Sequence, residues 1–369
     1  MSILRPGCEA RCPGCAHRLL SAEDSATQKQ RWLQQRLEPW ADRLVSLKAV
    51  SGEARWAYRD RVRLSAQWDG EQWHCGLLVR DELIAIPNCP VHSYRVRKVM
   101  QLLMPCLPPF SRFPLAFYVQ AGAQATLVLK THQLPELDWL TPTLRRQLET
   151  SGLNGLWLQL HPAAGRRLFS KNGWHLLWGQ AFSRDNQGFR YGPTAFQQLL
   201  PELYQQAMDK AEAFLSPTAY DVVIDLYSGT GMTLRRWLNR GACTIGVELA
   251  GEAVECARHN GPEALILRGA CAQRIPQLRE WLETHAKSIR RRLLYVNPPR
   301  TGLELEILDW TIQDCRPDRM AYLSCSAGTL HRDLVSLTTA GYAVEHIVPY
   351  DFFPQTYHVE TLVLLRRLA

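Results

Sequence analysis

From about residue 190 onward, continuous apolar runs alternate with stretches in which apolar positions recur every three or four residues. Asp221-Val222-Val223-Ile224-Asp225 is such a run, the pattern of a strand covered on both faces. Before it, Pro201 to Phe214 carries the helical period. After it the pattern predicts a helix near 231–239, a strand at Thr244–Glu248, a helix at 252–259 and a strand near 264–267. Strands at Leu293–Val296, Arg319–Ser324, Val344–Tyr350 and Thr361–Leu365 follow. This alternation predicts a doubly wound α/β sheet. The first half has a different grammar. Arg61–Ala66 and Ala125–Leu129 read as antiparallel strands, and Val91–Leu103 as a helix, so the region from about 50 to 130 is α+β. Ser21-Ala22-Glu23-Asp24 is a helix start, with Trp32, Leu33 and Leu37 at helical spacing behind it.

These patterns divide the chain into a Cys-bearing segment (1–20), a helical segment expected to pack on the catalytic domain (21–50), a central α+β domain (51–187) and a C-terminal α/β domain (188–369). Of the 369 residues, 46% are hydrophobic and 21% charged, which excludes a disordered chain. No run of 18 apolar residues could span a bilayer, and the start Met1-Ser2-Ile3-Leu4-Arg5 has no apolar secretory core. A cytoplasmic protein without a membrane partner is the expectation. A net charge of +8 points to an anionic partner, most often nucleic acid. The 11 cysteines, an odd count without an export signal, argue against a disulfide framework. Three of them, Cys8, Cys12 and Cys15, cluster as metal ligands do.

Asp225-Leu226-Tyr227-Ser228-Gly229-Thr230-Gly231 follows a strand and opens a helix. Its glycines let a ligand approach the backbone where a helix N-terminus offers free N–H groups. It is neither G-x-G-x-x-G nor a P-loop. D-x-x-S-G-x-G resembles the first motif of class I S-adenosylmethionine methyltransferases. Glu248, ending the next strand, is placed to accept hydrogen bonds from ribose hydroxyls. The competing reading is a tight turn without a ligand.

Three further strand ends carry chemistry. Tyr295-Val296-Asn297-Pro298-Pro299-Arg300-Thr301-Gly302 is a proline-stiffened loop that aims Asn297 at the crevice of an open α/β sheet. Tyr322-Leu323-Ser324-Cys325-Ser326 puts a thiol at a strand end, where a nearby cation would favour the thiolate. A buried structural cysteine is the commoner fate, but these neighbours argue against it. Asp351 to Glu360 ends in a carboxylate suited to general-base work. Together they suit one reaction. Attack of a thiolate on C6 of a pyrimidine activates C5 toward a methyl donor, and a base then removes the C5 proton. In a polynucleotide the target must be flipped out or single-stranded.

With these residues in view, the sequence resembles the RNA uracil-C5-methyltransferase family, which modifies tRNA and 23S rRNA. The likeness runs from the Cys cluster through Glu360. It is carried by Asn297-Pro298-Pro299-Arg300-x-Gly302, by Ser324-Cys325 with Thr329-Leu330 and Arg332-Asp333-Leu334, and by Phe353-Pro354-x-Thr356-x-His358-Val359-Glu360. The resemblance implies a class I methyltransferase domain preceded by an RNA-binding α+β domain, with S-adenosylmethionine as cofactor. Cys325 would be the nucleophile and Glu360 the base. Asp225, Tyr227, Gly229, Gly231, Glu248 and Asn297 would hold the cofactor, and Arg190, Asn297 and Arg300 would orient the base. Asn297 stands where many members have Asp and the rRNA type lacking a TRAM domain has Asn, so an rRNA substrate and a monomeric enzyme are expected. One departure is Phe189-Arg190-Tyr191-Gly192-Pro193, where the family has F-x-Q-x-N and this chain is read with Arg190 in place of Gln and Gly192 in place of Asn. Arg only donates hydrogen bonds whereas Gln also accepts, which opens cytidine, or another RNA such as tRNA, as alternatives. A non-enzymatic iron–sulfur RNA-binding protein is a further alternative, opposed by the intact Cys325 and Glu360.

In that family three N-terminal cysteines and a fourth about 70 residues on hold a [4Fe–4S] cluster, which implies Cys8, Cys12, Cys15 and Cys89 here. Four thiolates also suit zinc. C-x3-C-x2-C is in addition the radical S-adenosylmethionine signature, but a fourth cysteine would leave no open iron. Cys106 follows a proline as in cytosine methyltransferases, yet lies outside the α/β domain and reads as core. Arg290-Arg291-Arg292 reads as a solvated face. Arg59, Arg61 and Arg63 alternate on one strand face, suited either to phosphate contact or to plain exposure.

Overall fold

The computed structural model describes residues 4–165, 167–285 and 289–368. The chain forms two compact units. One consists of the segment up to Leu20, Ser51–Gln187 and Tyr191–Leu199; the other of Ser21–Val50, Gly188–Arg190 and the chain from Leu200 onward. The first helix, α1 (Ala22–Arg36), therefore belongs to the second unit. Ser21 caps it, its side chain accepting a hydrogen bond from Asp24 N.

The first unit is a seven-stranded sheet with two helices. Its strands are β1 (Arg61–Trp68), β2 (Trp73–Val79), β3 (Glu82–Ala85), β4 (Leu115–Ala121), β5 (Gln124–Leu129), β6 (Gly155–Leu160) and β7 (Trp174–Gly179), in the order β3-β2-β1-β4-β5-β6-β7. All neighbours are antiparallel except β5 and β6. Helices α2 (Tyr94–Leu103) and α3 (Pro142–Thr150) are capped by Ser93 and Thr141. Their apolar stripes, Val96, Val99 and Leu103 with Leu144 and Leu148, cluster with Leu64, Tyr118, Leu127 and Leu158. Arg61 and Arg63 share the register of Ala121 and Val119, and their guanidinium groups lie over the Phe196 and Phe117 rings at 5.1 and 5.2 Å. Arg59 is not on that strand: its backbone N–H bonds Val91 O, and its charge acts on Cys15. The two-residue strands β8 (Ser183–Arg184) and β9 (Arg190–Tyr191) follow.

The second unit holds α4 (Pro201–Leu215), β10 (Asp221–Leu226), α5 (Met232–Asn239), β11 (Cys243–Glu248), α6 (Gly251–Asn260), β12 (Leu265–Arg268) and α7 (Ile275–His285). After these come β13 (Arg291–Val296), α8 (Leu305–Trp310), β14 (Arg319–Ser324), α9 (Ala327–Thr339), β15 (Tyr342–Tyr350) and β16 (Glu360–Arg367). The strand order is β12-β11-β10-β13-β14-β16-β15. The first five are parallel, and β16 runs antiparallel to both of its neighbours. Every residue of β10 is buried, as its continuous apolar run requires. The order reverses between β10 and β13, the switch point outside which open α/β sheets bind ligands.

Residues 21–50 complete this unit. Leu33 and Leu37 enter the sheet's core, whereas Trp32, expected beside them, is 38% exposed because it falls off the buried stripe. Leu44 to Lys48 runs parallel alongside β15, with Val45 N bonded to Ile347 O and Lys48 N to Pro349 O, both at 2.9 Å. Lys29 is fully buried on α1. Its Nζ donates to Asp351 Oδ1 at 2.6 Å and to Phe353 O at 3.2 Å.

Candidate active site

The expected chemistry gathers at the carboxyl edge of the second sheet. Antiparallel pairing sets Ser324 of β14 opposite Thr361 of β16, so one step further Cys325 faces Glu360. Cys325 is half-buried. Burial first, then the charge of Glu360, pushes its thiol up to about 11, against the pull of Arg300. Glu360 is 4% exposed, and burial pushes its carboxyl up to about 7, again opposed by Arg300. A buried acid that titrates near neutrality beside a thiol is the arrangement expected where a proton must move.

Arg300 reaches this pair from the loop after β13, which is fixed from below. Asp333 on α9 is fully buried and accepts from Tyr322 OH at 2.7 Å, Leu303 N at 3.0 Å and Arg332 Nε at 2.8 Å. Arg332 Nη2 donates to Thr301 O and Leu303 O, and the Thr329 hydroxyl to Arg300 O. Gly302 has φ +75°, and a Cβ there would lie 2.8 Å from Asp333 Oδ2 and 2.9 Å from Thr329 Cβ. The separate motifs Asn297–Gly302 and Thr329–Leu334 thus form one brace. Sequence reasoning quoted Asp333 without a role; a buried aspartate inside a motif is the signal that could have found it. Asn297 is half-buried, its backbone N–H 3.4 Å from Leu226 O.

At the end of β10, Asp225 is fully buried and accepts from Trp237 Nε1 at 2.8 Å. Burial holds its carboxyl up at about 7 against hydrogen bonds from Thr233 and Trp237, and among the described residues its Oδ1 has no hydrogen-bond partner. Tyr227 takes φ +60°, strained backbone for an aromatic residue. Gly229 (φ +56°) faces open space, whereas a Cβ on Gly231 would lie 2.9 Å from Ala257 Cα. An orphaned acceptor beneath a glycine loop with room above it fits a bound polar ligand. Glu248, expected to meet ribose, already accepts Gly229 N at 2.9 Å and Ala250 N at 2.7 Å, so it shapes the loop as well.

Arg190 is not part of the Cys325 group. Its guanidinium donates to Glu255 on α6 at 3.0 Å, and Asn260 bonds its backbone N–H and carbonyl and also Thr230 O of the glycine loop. Counted from Phe189, the third position of F-x-Q-x-N is Tyr191, so the reading of Arg190 at the Gln position is corrected, and Arg190 pairs with Glu255 on α6.

In the first unit the four expected ligand cysteines are neighbours. The Cys15 thiol is pushed up to about 12 by burial and then by Cys89, Cys12 and Cys8, with Arg59 opposing. Cys89 is raised by burial, while the backbone N–H groups of Val91 and His92 pull it down. Gly14 N lies 3.4 Å from Cys12 Sγ. A Cβ on Gly7 would lie 2.3 Å from Asn88 O, so only glycine lets the Cys8 segment close on the Cys89 loop. Among the described residues, however, no three His, Cys, Asp or Glu side chains form a group able to hold a metal ion. Cys8, Cys12, Cys15 and Cys89 are four gathered thiols whose charges act on one another. Cys106 is exposed rather than core, Arg291 pairs with Asp221, and Arg292 donates to Asp314 O and Cys315 O. No helix among the described residues is long and apolar enough to cross a membrane.

A parallel sheet with one antiparallel strand, a glycine loop after its first strand and a motif at each following strand end make up the class I methyltransferase fold. Comparison with known proteins agrees. Residues 275–368 match the profile of the tRNA (uracil-5-)-methyltransferase family. An uncharacterized RNA methyltransferase of Clostridium tetani is 26% identical over 98% of this chain and 83% of its own length. One from Clostridium acetobutylicum is 35% identical over 52% of this chain and 42% of its own. The fold is shared with the Pyrococcus abyssi tRNA (uracil-54, C5)-methyltransferase crystallised with S-adenosyl-L-homocysteine, at a TM-score of 0.68 and 20% identity, over 97% of this chain and 86% of that one. These relatives over nearly the whole chain are RNA methyltransferases by name, and the family profile covers the part that carries Cys325 and Glu360.

Proposed function

We propose that the protein methylates C5 of a uridine in RNA, 23S rRNA before tRNA, through a covalent bond between Cys325 and C6. The observation that carries this reading is the pairing of Cys325 with Glu360, with Arg300 acting on both. The Cys325 thiolate adds to C6, and the electron pair displaced to C5 takes up the methyl group. S-adenosylmethionine supplies that methyl group, leaving as S-adenosylhomocysteine. Glu360 then removes the C5 proton, the C5–C6 double bond re-forms and the Cys325 sulfur leaves. Arg300 favours both anions, the thiolate before addition and the carboxylate before proton removal. Asp225, Tyr227, Gly229, Gly231 and Glu248 would bind the methyl donor, and Asn297 would accept from the uracil N3–H.

Cys8, Cys12, Cys15 and Cys89 would hold a [4Fe–4S] cluster in a monomeric, cytoplasmic enzyme. Backbone N–H groups directed at Cys89 and the cations Arg18 and Arg59 beside Cys8 and Cys15 suit thiolate ligands. When bound, such a cluster would tie the N-terminal segment to the Cys89 loop.

The test is methyl transfer to total RNA from a strain lacking the protein, with the modified nucleotide mapped by mass. Cys325→Ala should abolish transfer and leave cofactor binding unchanged. RNA with 5-fluorouridine at the mapped site should form a stable adduct with the unmodified protein, since fluorine cannot leave as a proton. Turnover by Cys325→Ala refutes the mechanism.

A further inference from the structure

We propose that Tyr357 is a stacking platform for the nucleobase next to the target uridine, which makes it a specificity-determining residue; this rests on the RNA reading above. Tyr357 is 60% exposed in a segment that is otherwise inward-facing, since Phe352, Gln355, Thr356, Val359 and Glu360 are all buried. Its ring is nonetheless placed. The centroid lies 4.3 Å from that of His358, and His358 meets Phe353 edge-on at 5.9 Å. On the other side His358 Nε2 is 3.4 Å from Arg300 Nη2. A guanidinium, an imidazole and a phenol therefore lead outward from the Cys325–Glu360 pair to solvent.

That series matches what a flipped substrate needs. A uridine that reaches a half-buried thiol has left its stack, and its neighbour loses a partner. Proteins that bind unstacked RNA replace that partner with an aromatic face, often backed by a cation. Tyr357 precedes Glu360 by three residues, a span of at most roughly 10 Å. The neighbouring nucleotide, rather than the target base, falls within that reach. Among the described residues the other exposed aromatics of this unit are Tyr220, at the opposite edge of the sheet before β10, and Trp32 on α1.

The experiment measures methyl transfer to total RNA from a strain lacking the protein, with labelled S-adenosylmethionine. Tyr357→Ala should raise the RNA KM roughly 5- to 150-fold, the range of a lost base–aromatic stack, with kcat within about twofold. Tyr357→Phe should match the unmodified protein, and cofactor affinity and melting temperature should not move. Once the site is mapped, a synthetic fragment with an abasic neighbour should cost the unmodified protein the same factor and cost Tyr357→Ala nothing more. An unchanged KM in Tyr357→Ala, or a Tyr357→Phe variant as impaired as Tyr357→Ala, overturns the proposal. If the unmodified protein transfers no methyl to any RNA, the function itself fails, which is a different result.

Discussion

Replacing Glu360 with glutamine keeps the shape of the side chain and removes its charge. Two consequences follow with opposite signs. With its carboxyl at about 7, Glu360 is half ionised at pH 7 and only about 10% ionised at pH 6, so proton removal should slow about fivefold between pH 7 and 6 and about tenfold per unit below that. Glu360→Gln cannot take the C5 proton, and kcat should fall roughly 10²- to 10⁴-fold, the usual worth of a positioned base. Methylated RNA should then remain bonded to Cys325 as an adduct that survives denaturing gel electrophoresis. Meanwhile the Cys325 thiol, pushed up to about 11 by burial and by the Glu360 charge, loses the second of these influences. Its pKa should drop, and alkylation by iodoacetamide at pH 8 should become faster in Glu360→Gln than in the unmodified protein. A variant that turns over normally, or that alkylates more slowly, would refute the reasoning. The first result denies the base and the second denies the coupling.

Cys12→Ser, Cys15→Ser or Cys89→Ser should each abolish the iron and acid-labile sulfide of anaerobically purified protein; one zinc per chain in its place would refute the cluster. Lys29→Met leaves Asp351 buried without its partner and should cost about 3–5 kcal/mol in denaturant unfolding, while a loss below about 1 kcal/mol would show that Asp351 is not held by this pair. Asp225 and Glu360 are both held near 7, above their unfolded values, so the stability they contribute is present below about pH 4 and lost as pH rises through 7. Melting temperature should therefore fall between pH 6 and 8, and Asp225→Asn with Glu360→Gln should flatten that slope.

Much of the catalytic sheet was legible because a strand covered on both faces must be apolar throughout. β10, β13, β14 and β16 carry such runs, and their ends display the motifs. The helices α7, α8 and α9 left a weaker trace. α8 has six residues, too few for the period to show, while α7 opens with Ile275-Pro276 and α9 carries Gly328 and several threonines beside the buried stripes Leu278, Trp281, Leu282 and Leu330, Leu334, Leu337. The long-range partners were not legible at all. Lys29 reads as one more polar residue on a polar helix, and only folding reveals that its partner is Asp351, 351 − 29 = 322 positions away. Arg190 misled for a related reason. Its motif position suggested base contact, whereas Glu255 on α6 claims the side chain.

The segment Leu44–Lys48 has a consequence for how the protein is made. Val45 leaves the ribosome 347 − 45 = 302 residues before Ile347, the residue it bonds. At roughly 5–20 residues per second, its backbone, and the apolar Leu33 and Leu37 beside it, wait roughly 15 to 60 s for partners. A fragment starting at Leu200 would present the bare flank of β15, an edge open to pairing with other chains. Expression of the catalytic half without residues 21–50 should therefore yield aggregates, and adding that segment in trans should restore solubility.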